Sequence, residues 1–178
     1  MKTRTKRLVL CATGFLAMAG AGILMATPSD ATATCSISVT VDQIMEWDAN
    51  FPPISLADIT HQTHQVTDTA SATLYTNGDV DLKADNTNAA RLHSAGGVAL
   101  VTEYSLAYDG NGVAATGGSP VSYTGYDTFL STASRITHVS GSGAVLVTLG
   151  VRASNQSGIE GDATAYTAIQ TLTASWVE

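Results

Sequence analysis

The chain has 178 residues, of which 13% are charged, and carries a formal net charge of −7. Four of its eight basic side chains fall within residues 1–33, so the remainder sets four basic residues against fourteen acidic ones, a formal charge of −10. That balance argues against a nucleic-acid binder or a binder of anionic membranes, since both need Lys and Arg to meet phosphate.

Residues 1–33 read as an export signal. Lys2, Arg4, Lys6 and Arg7 precede an apolar run over 8–26, and Ala31 and Ala33 are the small residues a signal peptidase requires. Cleavage after Ala33 is expected to leave one secreted domain without a membrane span, because no uncharged apolar run of about 18 residues follows. Cys11 would leave with the signal, so Cys35 becomes the sole thiol of the mature chain. It has no partner for an internal disulfide, and if oxidised it joins two chains. Thr32 and Thr34 stand where a lipoprotein needs a leucine-like and a small residue, which disfavours lipidation.

Beyond the signal, Thr, Ser, Ala, Val and Gly dominate, and apolar residues alternate with hydroxyl residues, the period of a strand. Residues 36–41 alternate Ile37, Val39 and Val41 against Ser36, Ser38 and Thr40, with a possible extension to Ile44. An irregular stretch follows, with Trp47, Pro52 and Pro53, and suits a tether. The expected division is therefore signal 1–33, N-terminal strand and tether 34–53, and a β-domain over 54–178.

Residues 69–76 and 79–84 alternate on either side of Asn77-Gly78, which predicts a β-hairpin with a two-residue turn. A strand is expected over 98–108, ending at the turn cluster Asp109-Gly110-Asn111-Gly112, and a Gly-rich loop with a short strand over 113–124. Phe129, Leu130 and Ala133 have helical spacing, which allows one short helix over 126–135. After Gly141-Ser142-Gly143 comes an apolar strand over 144–153, then a polar turn over 155–162. A long closing strand over 164–177 has Gln170 interrupting its apolar face. Short strands separated by turn chemistry define an all-β chain, and a single antiparallel β-sandwich with Greek-key or immunoglobulin-like connections is expected.

Chemistry-bearing clusters are sparse. His61 and His64 form the most metal-like pair, with His93, His138, Cys35, Asp58 or Asp68 as the only third ligands, and no transition metal is expected. Asp79, Asp81 and Asp85, or Asp109 with Asn111, invite a calcium reading without matching a twelve-residue calcium loop. Trp47, Trp176, Tyr104, Tyr108, Tyr123 and Tyr126 raise a sugar-stacking reading. Asn155-Gln156-Ser157 is a glycosylation sequon. No Gly-x-Ser-x-Gly or His-Glu-x-x-His arrangement occurs, so no catalytic residues and no cofactor are expected.

The export signal, Cys35 opening the alternating stretch 36–41, the Thr/Val-rich body and the aromatic-ended stretch 166–176 resemble pilins of the chaperone–usher type. They are also similar to spore-coat-U-like secreted domains. The early cysteine of that family has a second cysteine inside the domain, which this chain lacks. The resemblance implies a structural subunit of an extracellular filament, pilus or coat, displayed on the cell surface. Its partners would be copies of itself, with export or assembly machinery, and Ile37, Val39, Val41 and Ile44 would form a strand donated to the next subunit. The alternative is a secreted carbohydrate- or calcium-binding β-sandwich module.

Overall fold

Period-two stretches become strands wherever a neighbour is present to pair with them. The computed structural model describes residues 31–155 and 161–177. Most of the expected signal (1–30) and part of the expected polar turn and sequon (156–160) lie outside the described residues. Residues 40–177 contain strands β1 (Met45–Trp47), β2 (Gln65–Thr76), β3 (Val80–Ala84) and β4 (His93–Ser94). Then come β5 (Val101–Tyr108), β6 (Gly117–Gly118), β7 (Val121–Gly125) and β8 (Ser134–Thr137), followed by β9 (Ala144–Ser154), β10 (Tyr166–Thr167) and β11 (Leu172–Trp176). The only helical element among the described residues is a single 3-10 turn, Asn88–Ala90.

The strands form an antiparallel β-sandwich. One sheet runs β1-β2-β9-β5-β7 and the other β11-β3-β8-β6, with β10 and β4 as a separate two-stranded piece. β9 is the spine of the larger sheet: Val145, Val147, Leu149 and Val151 all point inward and are buried. They meet Leu74, Leu106 and Tyr104 from their own sheet and Val80, Leu82 and Ile136 from the other. Phe129 fills the space between, fully buried, its ring centroid 5.6 Å from that of Tyr104.

Asn77-Gly78 does not close a hairpin. β2 and β3 lie in different sheets, and the dipeptide carries the chain across the sandwich as an arch. Neither residue adopts positive φ, which the expected type I′ turn demands. The reason is parity. A two-residue turn at 77–78 would pair Leu74 with Asp81 and Ala72 with Lys83, putting charges on the buried face. Crossing to the opposite sheet turns Val80 and Leu82 back toward Leu74 and leaves Asp81 and Lys83 on the outer face.

Gly78 lies under the indole of Trp176, where a Cβ would stand 2.9 Å from Cζ3. Gly78→Val must push that ring away, at a cost of about 1–3 kcal/mol. Thermal melting should fall by several degrees, at roughly 2–4 °C per kcal/mol for a domain of this size. An unchanged melting temperature would mean that the indole moves freely.

Residues 36–41 form no strand within the subunit, where none of the described residues pairs with them. Two further expectations are corrected. Residues 126–130 form a turn instead of a helix. The Phe129 and Thr128 amides both donate to the Gly125 carbonyl, and Leu130 takes φ 51°, which stops any helix. The long closing strand is divided into β10 and β11. Gln170 Oε1 accepts the Thr171 amide at 2.9 Å and shares the Asp85 amide, at 3.0 Å, with the Thr171 carbonyl. In addition, β1 belongs to the larger sheet, pairing Met45 with Thr76 and Trp47 with Leu74, so the sandwich begins inside the expected tether.

Candidate assembly surface

Residues 31–39 carry no strand. Ile37 and Val39 are 91% and 88% exposed, and Val41 is 74% exposed, values far above what an apolar side chain holds in a packed sheet. Cys35 is exposed, and its thiol reaches only the Ser36 carbonyl at 3.8 Å. Ile44 is set apart from the other three. Its amide donates to Asn77 Oδ1 at 2.8 Å and its carbonyl accepts the Asn77 amide at 3.2 Å, while Asn77 Nδ2 donates to the Asp42 carbonyl at 2.8 Å. One asparagine thus clamps residues 42–44, just ahead of β1.

A complementary feature lies at the other end of the sequence. Among the described residues β11 pairs with β3 alone, which leaves one of its edges open. Asp85 N bonds to Thr171 O and Val177 N to Asp79 O. By the alternation of an antiparallel ladder, the main-chain groups of Leu172, Ala174 and Trp176 therefore face the open side. The side chains of those residues are only half-buried, as are Met45 and Trp47 of β1, whereas inward residues of β9 are nearly all sealed. Since β2 and β3 are joined directly, the strands outside them, β1 and β11, are edge strands on the same flank of the sandwich. The core is incompletely covered along that flank.

The exposed edge carries no charge. Residues 163–177 contain no Asp, Glu, Lys or Arg, although charged side chains are the usual device that keeps sheet edges from pairing. Beside it opens a cavity of about 360 Å³, walled by Phe51, Ile54, Leu56 and Ile169 and floored by Tyr104 and Leu149. Ile169 is 73% exposed at its rim. Gln170 also lines it, with Oε1 committed as above and Nε2 buried without an acceptor among the described residues.

Elsewhere the sequence candidates are dispersed or already engaged. Among the described residues no three of His, Cys, Asp and Glu stand together as a metal-binding group. His64 Nε2 lies 2.7 Å from the His61 carbonyl, and the His93 ring is bonded to the Arg91 carbonyl. Asp79 accepts the His138 amide, Asp85 the Thr87 amide and Asp109 the Leu146 amide, while Asn111 closes its own turn onto Val113 and Ala114. The aromatic residues form no common platform: Trp47 meets Phe51 with its ring tilted, Tyr104 is buried, and Tyr123 and Tyr126 each lie under an arginine. A second open cavity, of about 430 Å³, is rimmed by hydroxyls such as Thr124, Thr128 and Ser131.

Two ion pairs brace the outer faces. Arg135 grips Asp81, and Arg152 grips Glu103 at 2.7 Å while covering the Tyr123 ring at 4.5 Å. The hydrogen bond from Arg152 holds the Glu103 carboxyl below its ordinary value of 4.5, against a smaller opposing effect of burial. A lowered folded value means the pair stabilises the fold above the ordinary carboxylate range and loses that contribution as pH falls through the folded value. Glu103→Gln should therefore melt below wild type at neutral pH, and the gap should close in acid. A gap independent of pH would assign the loss to packing instead. Tyr104 is pushed up to about 12 by burial, with the nearby Asp85 charge adding to the effect, and its hydroxyl donates to the Ala90 carbonyl at 2.6 Å.

Compared with known proteins, the sequence matches no family model and no curated relative. Among the described residues no helix is long and apolar enough to cross a membrane. The class defined by the fold alone is the antiparallel β-sandwich.

Proposed function

We propose that the chain is the structural subunit of an extracellular filament or coat, secreted and assembled from copies of itself. In this reading residues 36–41 of one subunit pair with the open edge of β11 in the next. The observation that carries it is the coexistence, in one chain, of a row of exposed Ile37, Val39 and Val41 with an uncharged sheet edge over a half-covered core.

Main-chain bonds to Leu172, Ala174 and Trp176 would supply affinity, and alternate side chains of the incoming strand would fill the flank between β11 and β1. Burying three such side chains gains about 1.5–3 kcal/mol each. Each subunit gives a strand in one direction and receives one from the other, a head-to-tail contact that does not close and therefore extends. Ile44, held by Asn77, serves as the fixed root from which the strand departs. Export or assembly machinery would keep the strand covered until donation, and no catalysis belongs to this role.

Light scattering and electron microscopy of the purified protein over a range of concentrations test the reading. Filaments that lengthen with concentration are expected. Monomers at every concentration would overturn it and leave the sugar- or calcium-binding module as the alternative.

A further inference from the structure

Two Asn-Gly pairs occur in the described residues, Asn77-Gly78 and Asn111-Gly112, and the fold treats them differently. Asn-Gly is the dipeptide most open to intramolecular deamidation, because glycine leaves its own amide nitrogen unhindered. Asn111 is exposed, and only its Oδ1 is engaged, by the Val113 and Ala114 amides of its own turn. Asn77 is held at both ends of its side-chain amide by main chain from residues 42–44. Gly78 N is also occupied, donating to Thr76 Oγ1 at 3.2 Å.

We propose that Asn77 is a deamidation site gated by the N-terminal segment: it is closed while residues 42–44 sit on its amide and reactive once they lift away. The reaction needs only water. Gly78 N attacks Asn77 Cγ, the Cγ–Nδ2 bond breaks, and ammonia leaves with the proton from Gly78 N. Water then opens the cyclic imide at Cγ to give aspartate, or at the main-chain carbonyl to give isoaspartate. To react, the side chain must turn its Cγ onto Gly78 N, and the bonds to Ile44 N and Asp42 O forbid that turn.

The product cannot restore the clamp. An oxygen replaces Nδ2, so an acceptor faces the Asp42 carbonyl where a donor stood at 2.8 Å. Isoaspartate also adds a methylene to the main chain beside Gly78, which is already packed against Trp176. Release of the segment root becomes irreversible. The biological meaning rests on the strand-donation reading, as a one-way step that frees the root and lengthens the segment beyond residues 36–41. The chemistry itself is a property of the isolated subunit.

The test is carried out on isolated subunits held in mildly alkaline buffer, with peptide mapping for the one-dalton gain and for isoaspartate at both sites. Asn77 is expected to deamidate about tenfold more slowly than Asn111, equivalent to about 1.4 kcal/mol of protection. Ile44→Pro removes the donor to Oδ1 and should bring Asn77 close to the Asn111 rate. Hydrogen exchange on the wild-type protein supplies a readout that needs no variant. In the deamidated fraction the Ile44 amide should lose protection, while those of β9 keep theirs. Equal rates at the two sites in wild type would overturn the proposal. So would a deamidated fraction in which Ile44 stays protected. Filament formation is scored separately, so failure of assembly and failure of the gate are distinguishable.

Discussion

Val39→Asp is expected to yield a soluble, β-rich monomer that no longer polymerises. Val39 is 88% exposed and has no strand partner among the described residues, so the substitution should change the subunit's own stability by no more than about 0.5 kcal/mol. In a filament the same side chain would enter the flank between β1 and β11. There it loses about 1.5–3 kcal/mol of apolar burial and adds the cost of an unpaired carboxylate, several kcal/mol more. With each 1.4 kcal/mol worth a factor of ten, the contact weakens by about a thousandfold or more. Circular dichroism and electron microscopy on the same preparation read both halves. An unfolded Val39→Asp subunit would mean that residues 36–41 complete their own sheet. Filaments that persist would mean that assembly uses another surface.

Phe129→Ala should be the most damaging single truncation. Phe129 is the largest fully buried side chain, and it is delivered into the core by a turn instead of a regular element. Removing the ring forfeits its transfer energy and leaves a cavity beside Tyr104, about 3–5 kcal/mol in all. The melting temperature should drop by roughly 10–15 °C. Spectrophotometric titration gives a second readout: with the ring gone, Tyr104 should ionise below the value near 12 that burial imposes. A melting change of only a degree or two would mean that the turn collapses into the space.

The long strands β2 and β9 were readable in the sequence, because Ala70 to Thr76 and Val145 to Val151 alternate cleanly, whereas β1 fell inside the expected tether and β8 began inside the expected helix. The arch at Asn77-Gly78 was missed, because turn propensity pointed to a hairpin. Propensity reports which φ values a dipeptide tolerates, whereas the parity of Leu74 against Asp81 reports which pairing buries charge. Parity is the stronger constraint. Gln170 stood out as a polar interruption, but its effect, breaking the last strand by capturing two amides, depends on Asp85, 85 residues earlier in sequence. The Asn77 clamp was invisible for the same reason, as its partners lie more than thirty residues upstream. Which strand edges remain open follows from strand order, and strand order is set by contacts distant in sequence that local patterns do not encode.

The scarcity of basic residues has a consequence for survival in the presence of trypsin-like proteases, which cut only after Lys or Arg. Beyond residue 33 there are four such positions. Lys83, Arg135 and Arg152 lie within β3, β8 and β9, and Arg91 directly follows the 3-10 turn with its guanidinium over Tyr126. A protease needs several residues of free extended chain, and the three strand positions offer none while the sheets are paired. Digestion at those bonds must wait for the sandwich to open as a whole, so cleavage there follows the global unfolding equilibrium, and the bond after Arg91 is the one a local opening can expose.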